Sequence, residues 1–196
     1  EIFEKQLEKT GMEFFDFYLI HNVCEKNIEE YLDPKFGIMD YLVKQKEAGR
    51  IRHLGFSAHG DIGCMTRFLE AYGEHMEFCQ IQLNYLDWTF QDARGKVALL
   101  DKWNLPVWVM EPVRGGKLAQ IAEEDEDKLK AARPDETTVQ WCFRFIQSIP
   151  QVKVCLSGMS NFDQVKQNIE TFSEDKPLTP SEREILQGVA DDMLGR

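Results

Sequence analysis

The sequence predicts an α/β fold of parallel βα units, more in keeping with a closed barrel than with an open sheet, and three observations carry that prediction. Five strand-like apolar runs recur along the 196 residues, at 14–21, 51–57, 78–84, 105–112 and 152–158. Helix-like stretches separate them, the alternation that builds parallel sheets. An open doubly wound sheet usually carries a Gly-x-Gly-x-x-Gly turn after its first strand, and here His21-Asn22-Val23 follows instead. A closed barrel uses eight strands at about 30 residues per βα unit. Five units are therefore a partial barrel, with two strand edges left open.

Each element has a local signature. Residues 2–9 place Ile2, Phe3 and Leu7 on one helical side, with Gly11 as the stop. The first strand, 14–20, ends abruptly in His21. Residues 36–48 repeat Ile38, Met39, Leu42 and Val43 at helical spacing among lysines, and Gly49-Arg50 launches the second strand. Helices are expected over 61–72, with Met65, Phe68 and Leu69 inward, and over 92–103, with Val97, Leu100 and Trp103 as the apolar face. The acidic run at 123–127 reads as a solvated face or loop. A strong helix at 137–149 and another at 161–172 follow. Leu178-Thr-Pro-Ser-Glu182 then reads as the capped start of a terminal helix reaching Leu194. No low-complexity linker interrupts the chain, so residues 1–196 read as one domain.

Composition narrows the function. A net charge of −11 argues against a nucleic-acid partner, which needs basic patches. No apolar run has the length of a membrane span, and the charged start is no signal peptide. Five widely spaced cysteines without Cys-x-x-Cys fit reduced thiols in a cytoplasmic protein and give no metal site.

In parallel βα folds, chemistry sits at the carboxyl ends of strands, which makes His21 the candidate reacting residue. The 78–85 strand alternates Gln80, Gln82 and Asn84 with apolar residues, and covered amides need partners, so Gln80 either meets a ligand or joins a buried network. Pro112-Val-Arg-Gly-Gly-Lys-Leu118 offers glycines whose backbone lets N–H groups approach an anion, with Arg114 and Lys117 adding charge. Ser157-Gly-Met-Ser160 before a helix start is either an anion site or an ordinary capped turn. His53 reads as a core or layer residue and His75 as solvated. Asp16 lies on the opposite strand face from His21 and is no dyad partner for it.

Taken in order, Leu-Ile-His21, Gly49-Arg-Ile-Arg-His-Leu-Gly-Phe-Ser57, Gln80-Ile-Gln-Leu-Asn-Tyr85, Val109-Met-Glu-Pro-Val-Arg-Gly-Gly116 and Ser157-Gly-Met-Ser…Gln164…Asn168 resemble the aldo-keto reductases from end to end. The resemblance implies a (β/α)8 TIM barrel whose carboxyl-terminal five units are present. It also implies NADP or NAD as cofactor, a small-molecule carbonyl substrate, and a tetrad of Asp, Tyr, Lys and His. His21 corresponds to the tetrad histidine on the fourth strand. The Asp, Tyr and Lys would precede Glu1, so the chain is expected to be truncated on its amino-terminal side and inactive as a reductase alone. A stable fold would then need the missing units, a swap, or self-association through the strand edges.

Carried over position by position, Ser57 and Gln80 would hold the nicotinamide carboxamide, with Ala58 where many members have Asn. Met110 replaces an aromatic that stacks on the nicotinamide ring, giving a softer sulfur contact. Glu111, Pro112, Val113, Gly116 and Leu118 fall in the pyrophosphate loop. Gly158, Ser160, Gln164, Gln167 and Asn168 match the adenosine-phosphate and adenine contacts. Gln164 stands where many members carry an Arg that grips a 2′-phosphate. The alternative from another class is a non-catalytic nucleotide-binding or scaffold subunit. A barrel hydrolase or isomerase fits less well, since no metal-ligand cluster or carboxylate pair stands at the strand ends.

Overall fold

The computed structural model describes residues 2–196. In chain order its elements are α1 (Ile2–Thr10), β1 (Phe15–Val23), α2 (Ile28–Leu32), α3 (Ile38–Glu47), β2 (Ile51–Ala58), α4 (Ile62–Tyr72), β3 (Cys79–Gln82), α5 (Asp87–Phe90), α6 (Ala93–Lys102), β4 (Val107–Met110), α7 (Glu123–Ala132), α8 (Thr138–Gln147), β5 (Val152–Cys155), α9 (Phe162–Phe172) and α10 (Pro180–Gly195). The strands follow one another in the sheet in sequence order, each separated from the next by at least one helix. β1 and β2 pair in parallel from Phe15 opposite Ile51 to Val23 opposite Ala58, with a shift of register between Ile20 and Val23. β2 and β3 pair in parallel with Ser57 opposite Gln80. This is the expected parallel α/β architecture.

The chain divides into two compact units, one of Glu1–Ile81 with Gly95–Val107 and one of Gln82–Arg94 with Trp108–Arg196. In the first, Phe3 of α1 meets Phe15, Tyr18 and Tyr41 edge-on, with ring centroids 5.8, 5.1 and 6.2 Å away. Phe56 of β2 and Phe68 of α4 lie 4.7 Å apart in the buried interior. Gly55 is required there, because a Cβ on it would come within 2.6 Å of both the ring and the carbonyl oxygen of Phe78. Asp61 caps α4 by accepting the Cys64 N–H at 2.7 Å.

The second unit is organised by α8, whose Trp141, Cys142, Phe143 and Ile146 are all buried. A capping box starts it, Thr137 accepting from the Gln140 amide while the Gln140 side chain accepts from the Thr137 amide. The same device starts α10 with Thr179 and Glu182, Pro180 standing in the first turn as the sequence predicts. Trp88 packs on Phe145 at 5.5 Å, and the Tyr85 hydroxyl donates to the Met193 sulfur at 3.7 Å.

Two expectations are revised. The acidic run forms the first turns of α7 as a solvated face at Glu123, Glu124 and Asp127, but Asp125 within it is fully buried, paired with Lys128 at 3.0 Å and with Arg196. His53 is not a core residue. Its side chain is half-exposed, stacked on Phe17 at 4.9 Å and bonded to Glu77 at 3.1 Å. Among the described residues no helix is long and apolar enough to cross a membrane.

Candidate functional site

In the first unit the carboxyl end of β1 is a tethered turn. The strand runs on past His21 to Val23, and Asn22 takes a left-handed φ of 59°. The Asn22 N–H donates to Ser57 Oγ at 2.8 Å, and Asn22 O accepts from Asn27 Nδ2 at 2.7 Å. The Tyr31 hydroxyl donates to His21 O at 2.7 Å, while the amides of His59 and Gly60 donate to Val23 O at 3.0 and 3.1 Å. The His21 side chain is therefore exposed on a backbone held from both sides. Ser57 is buried, and its hydroxyl, already accepting from Asn22, keeps its own proton to donate. Gln80 stands beside it in register. Burial holds the His59 imidazole below its ordinary pKa, with the charges of His21 and Lys96 acting the same way.

In the second unit a cavity of about 200 Å³ lies among the 111–116 loop, α8, the segment after β5 and the first turns of α9. Of the residues singled out from sequence, Glu111, Pro112, Val113, Gly116, Gly158, Gln164, Gln167 and Asn168 line it. The loop gains its shape from four consecutive-region departures into left-handed backbone, at Glu111 (58°), Arg114 (49°), Gly115 (60°) and Gly116 (88°). Asn161 caps α9 by accepting the Gln164 amide at 2.9 Å. Gln164 Oε1 turns back to take the Ser160 amide at 2.7 Å, and Asn168 Nδ2 donates to Ser157 Oγ at 3.1 Å. Ser160 thus shapes the turn through Gln164. Leu118 is fully buried in the core of this unit, and Met110 ends β4 half-buried.

Arg114 does not serve as an anion contact. Its Nε pairs with buried Asp87 Oδ2 at 3.3 Å, and its guanidinium lies over the Phe90 ring. The cavity lining consequently has amide and hydroxyl donors and one acid, Glu111, with no basic side chain. Sequence reasoning missed Ala119, Val139 and Phe143 as lining residues. Val139 and Phe143 are four apart on α8, so helical periodicity was the signal that could have paired them.

A sequence profile described as the Aldo/keto reductase family matches residues 1–191. The chain belongs to the aldo/keto reductase family. Comparison with curated protein sequences gives no match. Among solved structures it is similar to an aldo-keto reductase from Bacillus halodurans in its holo form, with 22% identity, a TM-score of 0.74, and coverage of 96% of this chain and 63% of that one. It is also similar to an aldo/keto reductase from Klebsiella pneumoniae in complex with NADP and acetate, with 21% identity, a TM-score of 0.73, and coverage of 96% and 63%. A glycerol dehydrogenase from Gluconobacter oxydans gives 19%, 0.72, and coverage of 100% and 64%. These likenesses are of fold. The chain spans less than two thirds of the length of each of these three structures.

Proposed function

We propose that this chain supplies the nucleotide-binding part of an NAD(P)H-dependent oxidoreductase that reduces aldehyde and ketone carbonyls. The observation that carries the reading is the cavity between the left-handed 111–116 loop and the start of α9. Family membership gives it context. The donor set fits part of a dinucleotide: amides of Gln164, Gln167 and Asn168, the Ser157 hydroxyl, and the N-terminal end of an 11-residue helix, which favours negative charge. Its volume falls below the 300 Å³ or so typical of a whole small-molecule pocket, so it would take the phosphate and adenosine end alone. The nicotinamide, when bound, supplies the hydride. His21, exposed near the end of β1, is suited to donate a hydrogen bond from its ring N–H to the carbonyl oxygen.

With a neutral Gln164 in the first turn of α9, a 2′-phosphate gains no ion pair from it. Titration of the chain with NADPH and NADH, followed by the fluorescence of the bound nicotinamide, is therefore expected to give affinities within about tenfold of one another. Gln164→Arg is expected to shift the ratio toward NADPH by about tenfold or more, the worth of a hydrogen bond to a charged group. Absence of binding by either nucleotide would overturn the reading.

A further inference from the structure

We propose that Asp87 is the positioning residue of the 111–116 loop, fixing its first and fourth residues from one buried carboxylate. Asp87 is fully buried at the start of α5. Its Oδ2 accepts from Gln82 Nε2 at 2.8 Å and from Asn84 Nδ2 at 2.7 Å, and pairs with Arg114 Nε at 3.3 Å. Its own amide donates to Asn84 Oδ1 at 2.8 Å, so the Asn84 side chain is oriented from both ends. Thus fixed, Asn84 donates through the same Nδ2 to Glu111 O at 3.0 Å. The first residue of the loop is held through Asn84, and the fourth directly through Arg114.

Those two residues, Glu111 and Arg114, are the non-glycine positions of the loop with left-handed backbone. Side chains other than glycine, Asn and Asp rarely adopt that region, and such outliers persist where the surroundings over-determine them. The tethers fall on the two strained residues. Between them the loop closes on itself, the Arg114 amide donating to Glu111 O at 3.0 Å. The Asp87–Arg114 pair also turns the loop's guanidinium away from the cavity, leaving the cavity lining without a basic side chain. Gln82, the last residue of β3, and Asn84 just past it find their partner here rather than in a ligand.

The test is hydrogen exchange, resolved by peptide, on the 196-residue chain and on Asp87→Asn, Arg114→Gln and the double variant. Each single change is expected to raise exchange in 111–118 by about tenfold or more while leaving 180–195 unchanged, and the double is expected to add little to either single. Arg114→Lys, which keeps the charge without the planar fork, is expected to fall between wild type and Arg114→Gln and remains informative if Asp87→Asn does not fold. Exchange rising uniformly along the chain would show a merely structural role, and unchanged exchange in 111–118 would equally overturn the proposal. A nucleotide titration of the same proteins extends the inference to ligand positioning and in that part rests on the reading above. Weaker binding by about tenfold in Asp87→Asn supports it, and unchanged binding with a loosened loop overturns it. Failure of the wild type to bind would remove the nucleotide reading alone, since the exchange result stands without ligand.

Discussion

Glu182 accepts both Nε and Nη2 of Arg133, at 2.7 and 2.8 Å, and also takes the amide of Thr179 at 2.7 Å. Arg133 above all, and the Thr179 amide and hydroxyl after it, hold its carboxyl down from 4.5 to about 2. A depressed carboxylate contributes stability that is complete above its unfolded pKa and is lost as pH falls through its folded one. The Glu182 contribution should therefore be intact above about pH 4.5 and disappear between there and about 2. Urea midpoints measured across that window should fall less steeply in Glu182→Gln than in wild type, and parallel curves would remove Glu182 from the account. Residue-scale burial also settles the thiols. It pushes Cys64 up to about 11 and Cys155 up to about 12, so both stay protonated and unreactive near neutral pH.

At the scale of elements, one arginine joins two helices. Arg144 of α8 is almost wholly buried and donates through Nη1 to Thr171 O at 2.9 Å and Glu174 O at 2.7 Å, carbonyls at and just beyond the end of α9. Its Nε donates to Glu136 Oε1 at 3.2 Å, and Glu136 is shared with Arg133 and Lys176. Arg144→Met would take its donor from Thr171 O, leave Glu174 O with Gln147 Nε2 at 3.0 Å, and leave Glu136 with one cation fewer, at a cost of about 3 kcal/mol. Equilibrium urea unfolding should show it, with Arg144→Lys losing part of that amount because it keeps the charge without the fork.

None of this network was readable from sequence, whereas the helices it joins were. Thr137 with Gln140, Asn161 with the Gln164 amide, and Thr179 with Glu182 are local patterns, and local patterns survive in one dimension. The short helices α2 and α5 carry too few residues to show a period. The strands at 78–84 and 105–112 read about three and about four residues longer than β3 and β4, since apolar residues also flank the strand, Phe78 and Leu83 around β3 and Leu105 before β4. For the candidate site, the Gly-Gly loop and the turn before α9 were legible because glycine and capping residues mark them. Arg114 was misassigned because its partner Asp87 lies 27 positions upstream, and a charge in a sequence does not announce where it is buried. His53 failed for the same reason, its partner Glu77 lying 24 positions downstream in the segment before β3.

At the scale of the whole molecule, the question is whether these residues can complete a carbonyl reduction. Hydride transfer to a carbonyl needs an acid for the developing alkoxide, and a tyrosine in that role needs a free hydroxyl whose proton is made easier to lose. The chain has five tyrosines. Tyr18 donates to Gln6, Tyr31 to His21 O, Tyr41 to Glu4, Tyr72 to Tyr31 O and Tyr85 to Met193. Burial moves Tyr18, Tyr31, Tyr41 and Tyr85 in the wrong direction, making their protons harder to lose. Tyr31 comes nearest to the role in chain and space, yet its hydroxyl is spent on the backbone oxygen of His21 itself. That observation also favours the second reading, in which the chain binds nucleotide without turnover. The expected outcome is that the purified 196-residue chain oxidises NADPH with a reactive aldehyde no faster than the uncatalysed mixture, while still binding nucleotide. Turnover that saturates with aldehyde and is abolished in Tyr31→Phe would overturn it and would make Tyr31 the missing acid.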